Sequence, residues 1–461
     1  MLFFLAKGWV YAGYTLPKLL ALSLTAVWVS WEMRAKKVPS PGWLLFFLPL
    51  LLSASLSPDP WLSIVGRYNA YAWGLLGLSL CAIVFYSELG LLFPVAVVLA
   101  GHAVLTVNGS GVNRAMGLIG SPVDLGTILA ACILSEIPGK SRWRWAGGLL
   151  MLYALYLTGT RGAWLGLFIG IAYMIGKVYA KKNVYTFLTI SVAAGGVLLL
   201  FHHRPVSDAA RVEVWKAAIE TIKEAPLLGH GPDSFEDAFK RHRSQKFMDI
   251  MGNKNGTNRS QADAHNSILS ILCFFGFVGL ATFGVFFYFV GVSPPLIAIF
   301  VASMFNPISL EVIALAALFA GRLVPRERSY PWLGRIFLAI SLIAIYNIVL
   351  LCRADYWFQR GNIAKAIGVE EYPFYFEATR LNPTEPVYTA SLINSIRGRN
   401  HELAISAAER LMEYRHSSDS QSFYAYTLRG AGDIRAKANM KAALALDPLN
   451  PQMREVVKEF K

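Results

Sequence analysis

Long runs of apolar residues constrain the fold of this chain more than any other feature of its sequence. Runs of roughly 18–25 apolar residues recur along it, the length at which an α-helix crosses about 30 Å of hydrocarbon. Lipid offers no hydrogen-bond partner to backbone N–H and C=O groups, so such runs must be helical. The 461 residues are 55% hydrophobic and only 16% charged, whereas soluble domains are about 25% charged. The sequence therefore predicts an all-α, polytopic membrane helix bundle.

The predicted spans cover most of the first three quarters of the chain. They lie near 17–33, 43–56, 68–86, 89–107, 122–137, 143–158, 162–180, 184–201, 265–290, 295–320 and 331–352. The run 295–320 contains Pro307, and a proline inside a helix removes a hydrogen bond. We therefore expect two short helices forming a hairpin there, and about 11–12 membrane helices in all.

Basic residues in the short loops predict the orientation of the bundle. They cluster in four places: Arg34, Lys36 and Lys37; Lys140, Arg142 and Arg144; Lys177, Lys181 and Lys182; and Arg322, Arg326 and Arg328. Lys and Arg accumulate in cytoplasmic loops, so segment 202–264 and the C-terminal tail are expected outside. The same rule assigns the net charge of +14 to loops and headgroups of membrane lipids rather than to nucleic acid.

Two regions extend beyond the predicted membrane domain, 1–352. In the outer loop, 202–264, Val212, Trp215 and Ile219 recur at helical spacing, which predicts an amphipathic helix across the mouth of the bundle. The tail, 353–461, has the composition of a soluble helical module. Its Pro383 and Pro448 lie 65 residues apart in similar segments, close to two tetratricopeptide periods of about 34 residues. A helical tail without repeats is the alternative.

Isolated cations mark the predicted outer side of the membrane. They are Arg67, Arg114, Arg161, Arg211 and His265. A guanidinium presents a planar fork of donors that fits phosphate oxygens, so several arginines at headgroup level would hold a pyrophosphate whose lipid tail stays in the bilayer. Single arginines also snorkel to headgroups, and that alternative applies most to Arg67 and Arg114. Arg161 lies in an open turn between Gly159 and Gly162.

His265 is the candidate general base, because histidine titrates near working pH. The adjacent Asn266 is suited to orient a ligand or to cap the following helix, and a cap or headgroup contact is the alternative role for His265 as well. No pair of carboxylates in a metal-binding pattern stands at the outer face, so we expect no catalytic metal and no cofactor.

Three motifs in order resemble a known family. They are TGTRGAWLGL at 158–167, RVEVWKAAIETIKEAPLLGHGPDSF at 211–235 and AHNSILSILCFFGFVGL at 264–280. Together they resemble the bacterial O-antigen ligase and O-antigen polymerase superfamily, which includes oligosaccharyltransferases that glycosylate pilins. Segment 114–126 is similar but looser, with Asp124 where the family often has asparagine.

The resemblance implies a C-type glycosyltransferase-like bundle that acts on an undecaprenyl-pyrophosphate-linked glycan without a metal, in the cytoplasmic (inner) membrane of a bacterium. By position, it implies that Arg161 and Arg211 bind pyrophosphate and that His265 acts as base or as a group that orients the acceptor. It also implies that Gly229 and Gly231 shape the site, and that Gly276 and Gly279 permit close helix packing. Inversion at the anomeric carbon would follow.

The acceptor separates the enzyme hypotheses. A ligase uses the lipid A core, a polymerase uses another lipid-linked repeat, and a protein O-oligosaccharyltransferase uses a Ser or Thr of a protein. Two non-enzyme alternatives remain. A transporter of lipid-linked glycan would show internal repeats and charges near the bilayer midplane, and a membrane scaffold would tolerate replacement of the Arg and His residues.

Overall fold

The structure is a computed structural model in which helices are the only regular elements of the described residues. It describes residues 15–34, 48–60, 63, 92–107, 114–136, 142–179, 205–251, 260–261, 263–306, 309–324, 329–383, 385–396 and 400–459. The predicted spans 68–86 and 184–201 lie outside these ranges, so the total number of spans stays a prediction.

Ten α-helices of the described residues lie in the predicted membrane region. They are α1 (Thr15–Glu32), α2 (Leu48–Ser55), α3 (Leu92–Val107), α4 (Pro122–Glu136), α5 (Arg142–Thr158), α6 (Arg161–Tyr179), then, after the helices of the loop, α10 (Ser267–Val290), α11 (Pro294–Ser303), α12 (Leu310–Gly321) and α13 (Pro331–Ala366). Among the described residues, α10 and α13 are long and apolar enough to cross a membrane, and shorter apolar helices accompany them. The all-α membrane fold class is confirmed.

The predicted break near Pro307 is present. Helices α11 and α12 are separate and short, where one span of 26 residues would otherwise fit 295–320. Helix α11 packs along α6, because Gly162, Gly166 and Gly170 recur every fourth residue. A Cβ on each of these glycines would collide with backbone or side-chain atoms of the opposing elements. Small residues at this spacing permit the close approach of membrane helices.

Helix ends pack together at one end of the bundle, and the loop and the tail lie at the other. At one end, Met33, Val290, Val324 and Leu333 form one buried cluster, so the ends of α1, α10 and α12 meet the start of α13. The opposite end of α10 begins after His265. Helix α13 runs for 36 residues, or about 54 Å, and its last turns project beyond the apolar region into the tail. The outer loop and the tail therefore share one end of the bundle.

The loop contains α7 (Pro205–Glu224), α8 (Phe235–His242) and α9 (Gln245–Ile250). The predicted helix is present, but its buried face is not the predicted stripe. Val212 and Ile219 are 45% and 47% exposed, whereas Val214 and Ala218 are buried. Small side chains on that face let α7 approach α10 closely, and the thiol of Cys273 contacts the carbonyl oxygen of Ala218 at 3.6 Å.

The segment after α7 is hydrogen-bonded into a break in α10. Gly276 has φ 62° and ψ −164°, which interrupts the helix. Backbone N–H groups of 277 and 278 donate to carbonyls of 226 and 227, while His230 and Gly231 donate to Cys273 and Phe274 at 2.8 and 2.9 Å. Gly276 was predicted to permit close packing. It also has a left-handed backbone conformation that suits glycine.

The described part of the tail contains six helices after α13. They are α14 (Tyr372–Leu381), α15 (Pro386–Ile396), α16 (His401–Tyr414), α17 (Ser418–Gly430), α18 (Arg435–Leu446) and α19 (Pro451–Glu459). Each packs against the next along the chain. The similar segments around Pro383 and Pro448 each join two helices, and the caps before them, Asn382 and Asp447, have nearly the same backbone angles. The tetratricopeptide assignment stays a prediction.

Ion pairs join the tail to the loop. The side chains of Arg243, which follows α8, and Asp447 are paired and completely buried. Lys240 donates to Asp419 at 2.6 Å. Asp59, after α2, accepts from the backbone N–H of His416 at 2.8 Å. The tail is therefore docked against the loop rather than connected only through α13.

Candidate functional site

Two of the predicted arginines meet at one carboxylate. Arg161 begins α6, and its guanidinium donates to both oxygens of Asp208, at 2.7 and 3.3 Å. Arg211, one turn after Asp208 on α7, approaches the same carboxylate at 3.5 Å. The side chains of Arg161, Arg211 and Asp208 are 16%, 24% and 32% exposed. Solvent therefore reaches an anion-binding arrangement built by two separate helices.

Arg114 supports the turn that carries Arg161. Its Nε donates to the carbonyl oxygen of Thr158 at 2.7 Å, and a terminal nitrogen lies 3.3 Å from the hydroxyl of Thr160. The Thr160 hydroxyl donates to the carbonyl oxygen of Pro122 at 2.9 Å. Gly126 leaves room for both threonines against α4. These bonds connect two predicted motifs, 114–126 and 158–167, and Asp208 in turn joins Arg161 to Arg211 of the third motif, 211–235.

His265 lies at the same end of the bundle as this arrangement. Gly162, next to Arg161, packs against Ala302 at the end of α11. Ser267, two residues after His265, donates to the carbonyl oxygen of Ser303 at 2.8 Å. The end of α11 thus lies between the starts of α6 and α10. Among the described residues no hydrogen bond or ion pair joins the His265 ring to Arg161 or Arg211.

The start of α10 orients His265 and Asn266 differently. The Nδ1 atom of His265 lies 2.9 Å from Oδ1 of Asp263, which also accepts from the His265 backbone N–H at 2.6 Å. Asn266 caps α10, and its side-chain oxygen accepts from the N–H of Leu269 at 3.1 Å. The cap is one of the two roles that the sequence left open for Asn266.

The remaining predicted residues have other surroundings. Gly229 and Gly231 have φ 68° and 90°. A Cβ on Gly229 would collide with the backbone of Phe274, and one on Gly231 would collide with the side chain of Ser57. Their contacts join the loop to α10 and to the segment after α2. Arg67 lies outside the described residues. A role of these glycines and of Arg67 in substrate binding stays a prediction.

Asp208 and Asp263 were missing from the predicted site. Asp208 lies three residues before Arg211, a spacing that places the two on one helical face. The pair of Asp208 with Arg211 could therefore have been predicted from the sequence. Asp263 lies two residues before His265, a spacing typical of side chains that bond nearby backbone N–H groups. The pair of Asp208 with Arg161, 47 residues away, carries no local signal.

A buried carboxylate keeps the loop helices together behind the arginines. Glu213 is 3% exposed and accepts from Lys216 and from Ser244 at 2.9 and 2.7 Å. The hydrogen bond from Lys216 is the largest cause that lowers the pKa of Glu213, and the hydrogen bond from Ser244 is the next largest. Among the described residues, no group of three or more His, Cys, Asp or Glu side chains is arranged to hold a metal ion.

Comparisons with known proteins match the part of the chain that builds this arrangement. A family model described as O-antigen ligase matches residues 146–284, which include Arg161, Asp208, Arg211 and His265. An uncharacterized protein of Haemophilus influenzae is 27% identical over 123 residues, covering 21% of this chain and 30% of that relative. The chain thus spans less than a third of its relative's length in the match. No solved structure matches this chain.

Proposed function

We propose that this chain transfers a glycan from an undecaprenyl-pyrophosphate carrier to an acceptor, because residues 146–284 match a family model described as O-antigen ligase. The transfer takes place at the outer face of the cytoplasmic membrane. One observation carries the proposal: Arg161 and Arg211, from different helices, converge on the carboxylate of Asp208. The oxygens of that carboxylate stand in for phosphate oxygens of a bound diphosphate.

The arginines stabilise the leaving group. As the bond between the anomeric carbon and the diphosphate breaks, negative charge grows on the diphosphate, and donors already directed at that charge lower the barrier. The end-on contact of Arg161 with two carboxylate oxygens has the geometry in which a guanidinium binds phosphate. Arg114 keeps the turn of Arg161 in place through Thr158 and Thr160.

His265 removes the proton of the acceptor hydroxyl. The acceptor attacks the anomeric carbon from the face opposite the diphosphate, so the configuration inverts. This role is supported by the position of His265 beside the end of α11, next to the start of α6, and by an imidazole that is 28% exposed. No step in this mechanism requires a metal or a cofactor.

The acceptor is the lipid A core in the ligase that we propose. Protein O-glycosylation is the second candidate, and one observation favours it over polymerisation. The tail is held against the loop by Lys240 and Arg243, which supplies a protein surface beside the site on which a large acceptor can rest. A polymerase, whose two substrates are both lipid-linked repeats, has less need of such a surface.

Reconstitution tests the proposal. Full-length protein in liposomes receives polyprenyl-pyrophosphate glycans extracted from the membranes of its native cells, with lipid A core, a second lipid-linked repeat or a Ser/Thr-rich acceptor protein. We expect inverted transfer to the lipid A core. Transfer to one of the other acceptors supports the corresponding alternative. Glycan translocation without product identifies a transporter, and the absence of both identifies a scaffold.

A further inference from the structure

Asp263 forms two hydrogen bonds to a single neighbour, His265. Its Oδ1 accepts from the His265 backbone N–H at 2.6 Å and lies 2.9 Å from Nδ1 of the ring. Asp263 is 8% exposed, whereas the His265 side chain is 28% exposed. The carboxylate is therefore nearly withdrawn from solvent, while the imidazole that it contacts remains accessible. Among the described residues, Nε2 of His265 has no hydrogen-bond partner.

The backbone at His265 is strained. His265 has φ 51°, and Asp233 is the other non-glycine residue with positive φ among the described residues. A non-glycine residue in this region is energetically unfavourable and persists only where its surroundings hold it. Here three contacts hold it: the hydrogen bond that the His265 backbone N–H donates to Asp263, the cap by Asn266, and the bond of Ser267 to Ser303. Such strain is concentrated at functional sites.

We propose that Asp263 is a positioning residue for His265. With Nδ1–H donated to Asp263, the ring is held in the tautomer whose Nε2 is an acceptor, and its orientation is set. The nearby carboxylate also stabilises the positive imidazolium that forms when the ring takes a proton. This inference rests on the proposed function, in which His265 acts as base.

The acceptor hydroxyl gives its proton to Nε2 of His265, and its oxygen forms a bond to the anomeric carbon. The bond from that carbon to the diphosphate oxygen breaks, and the electron pair leaves with the diphosphate, near Arg161 and Arg211. The imidazolium then returns its proton to solvent, which reaches the ring.

A role limited to holding the turn is the competing explanation. That role needs only an acceptor for the backbone N–H of His265, which the side-chain oxygen of asparagine also supplies. An Asp263→Asn variant therefore keeps the turn and removes the charge beside the ring. If Asp263 acts through His265, both Asp263→Asn and Asp263→Ala lose catalysis, because general-base catalysis contributes about 10²–10⁴-fold.

The experiment compares Asp263→Asn, Asp263→Ala and His265→Ala in the liposome assay, with Asp249→Ala as the control, because Asp249 is an exposed carboxylate of the same loop. We expect both Asp263 variants to lower kcat by about 10²–10⁴-fold with the donor KM unchanged, since the loss affects the transition state alone. Asp249→Ala should match the parent protein.

Azide separates positioning from structural damage. Azide is an anionic nucleophile that needs no base, so it displaces the diphosphate and forms a glycosyl azide without proton transfer. We expect azide to restore donor consumption in His265→Ala and in both Asp263 variants.

The outcomes that overturn the inference differ from those that overturn the proposed function. Parent-like transfer by both Asp263 variants while His265→Ala is inactive overturns the inference alone, as does azide rescue of His265→Ala without rescue of Asp263→Ala. Full activity of His265→Ala overturns the base that both proposals share. A parent protein without transfer to any acceptor overturns the proposed function.

Discussion

Two of the arginine–aspartate pairs among the described residues have the same chemistry and opposite surroundings. In the candidate site, Arg161 and Asp208 are 16% and 32% exposed. Between the loop and the tail, Arg243 and Asp447 are both 0% exposed. A partly exposed ion pair contributes at most about 1 kcal/mol, whereas breaking a buried pair leaves a charge without compensation and costs about 3–5 kcal/mol.

The difference in exposure distinguishes an ion pair suited to bind a substrate from one suited to stabilise the fold. An arginine that loses little when it exchanges one anion for another is suited to hold a substrate and release a product. An arginine that is completely buried together with its carboxylate partner is suited to join two parts of the chain permanently. The residue types are the same in both places, so exposure decides which function an arginine–carboxylate pair can serve.

The largest expected effect is on stability, at the buried pair. Arg243→Ala leaves Asp447 charged and buried, so we expect the free energy of unfolding to fall by about 3–5 kcal/mol, measured by chemical denaturation of the protein in detergent micelles. Arg429→Ala is the control. Arg429 pairs with Glu459 at an exposed position and should cost about 1 kcal/mol or less. Equal effects of the two variants would contradict the distinction by exposure.

The next effect is on activity, at the exposed pair. Arg161→Ala should lower glycan transfer by about 10²–10³-fold, the usual cost of removing one donor to a developing anion, and should leave stability nearly unchanged. The transfer rate in liposomes and the denaturation midpoint measure the two quantities. Lys223→Ala is the control, because Lys223 lies exposed on α7 and pairs only locally with Glu220. Arg161→Ala with parent-like transfer would remove the leaving-group role.

The smallest effect is on donor affinity. Asp208→Asn keeps the size of the side chain and removes the negative charge that pairs with both arginines. We expect undecaprenyl pyrophosphate, added as a competitor of transfer, to inhibit about 2–5-fold more strongly, since an exposed charge interaction is worth up to about 1 kcal/mol. Weaker inhibition would mean that Asp208 holds the arginines in place for the diphosphate rather than competing with it.

The apolar helices were predictable from hydropathy. The division of 295–320 into α11 and α12 was predictable from a proline in that run. The buried face of α7 was predicted incorrectly. The sequence offered larger side chains at Val212 and Ile219, but alanines made the closer contact with α10. Which face of a helix is buried depends on its neighbour, and the neighbour lies about 50 residues away in sequence.

The cations of the candidate site stood out in the sequence, whereas the pairing of Asp208 with Arg161, 47 residues away, did not. Arg161, Arg211 and His265 stood out because cations near a membrane span are costly. Asp208 and Asp263 lie in polar segments where acidic residues are ordinary, and their role depends on contacts that only the folded chain creates. The same holds for the ion pairs between loop and tail, since Arg243 and Asp447 are 204 residues apart.

The backbone bonding at Gly276 decides how this protein can be recombined with its relatives. The carbonyls of Cys273 and Phe274, which the break leaves without helical partners, accept from N–H groups of the loop. In a chimaera with a foreign loop between two native helices, the loop would not match the carbonyl groups that the broken helix presents to it. The smallest portable unit is therefore the loop together with the helix that follows it, residues 205–290.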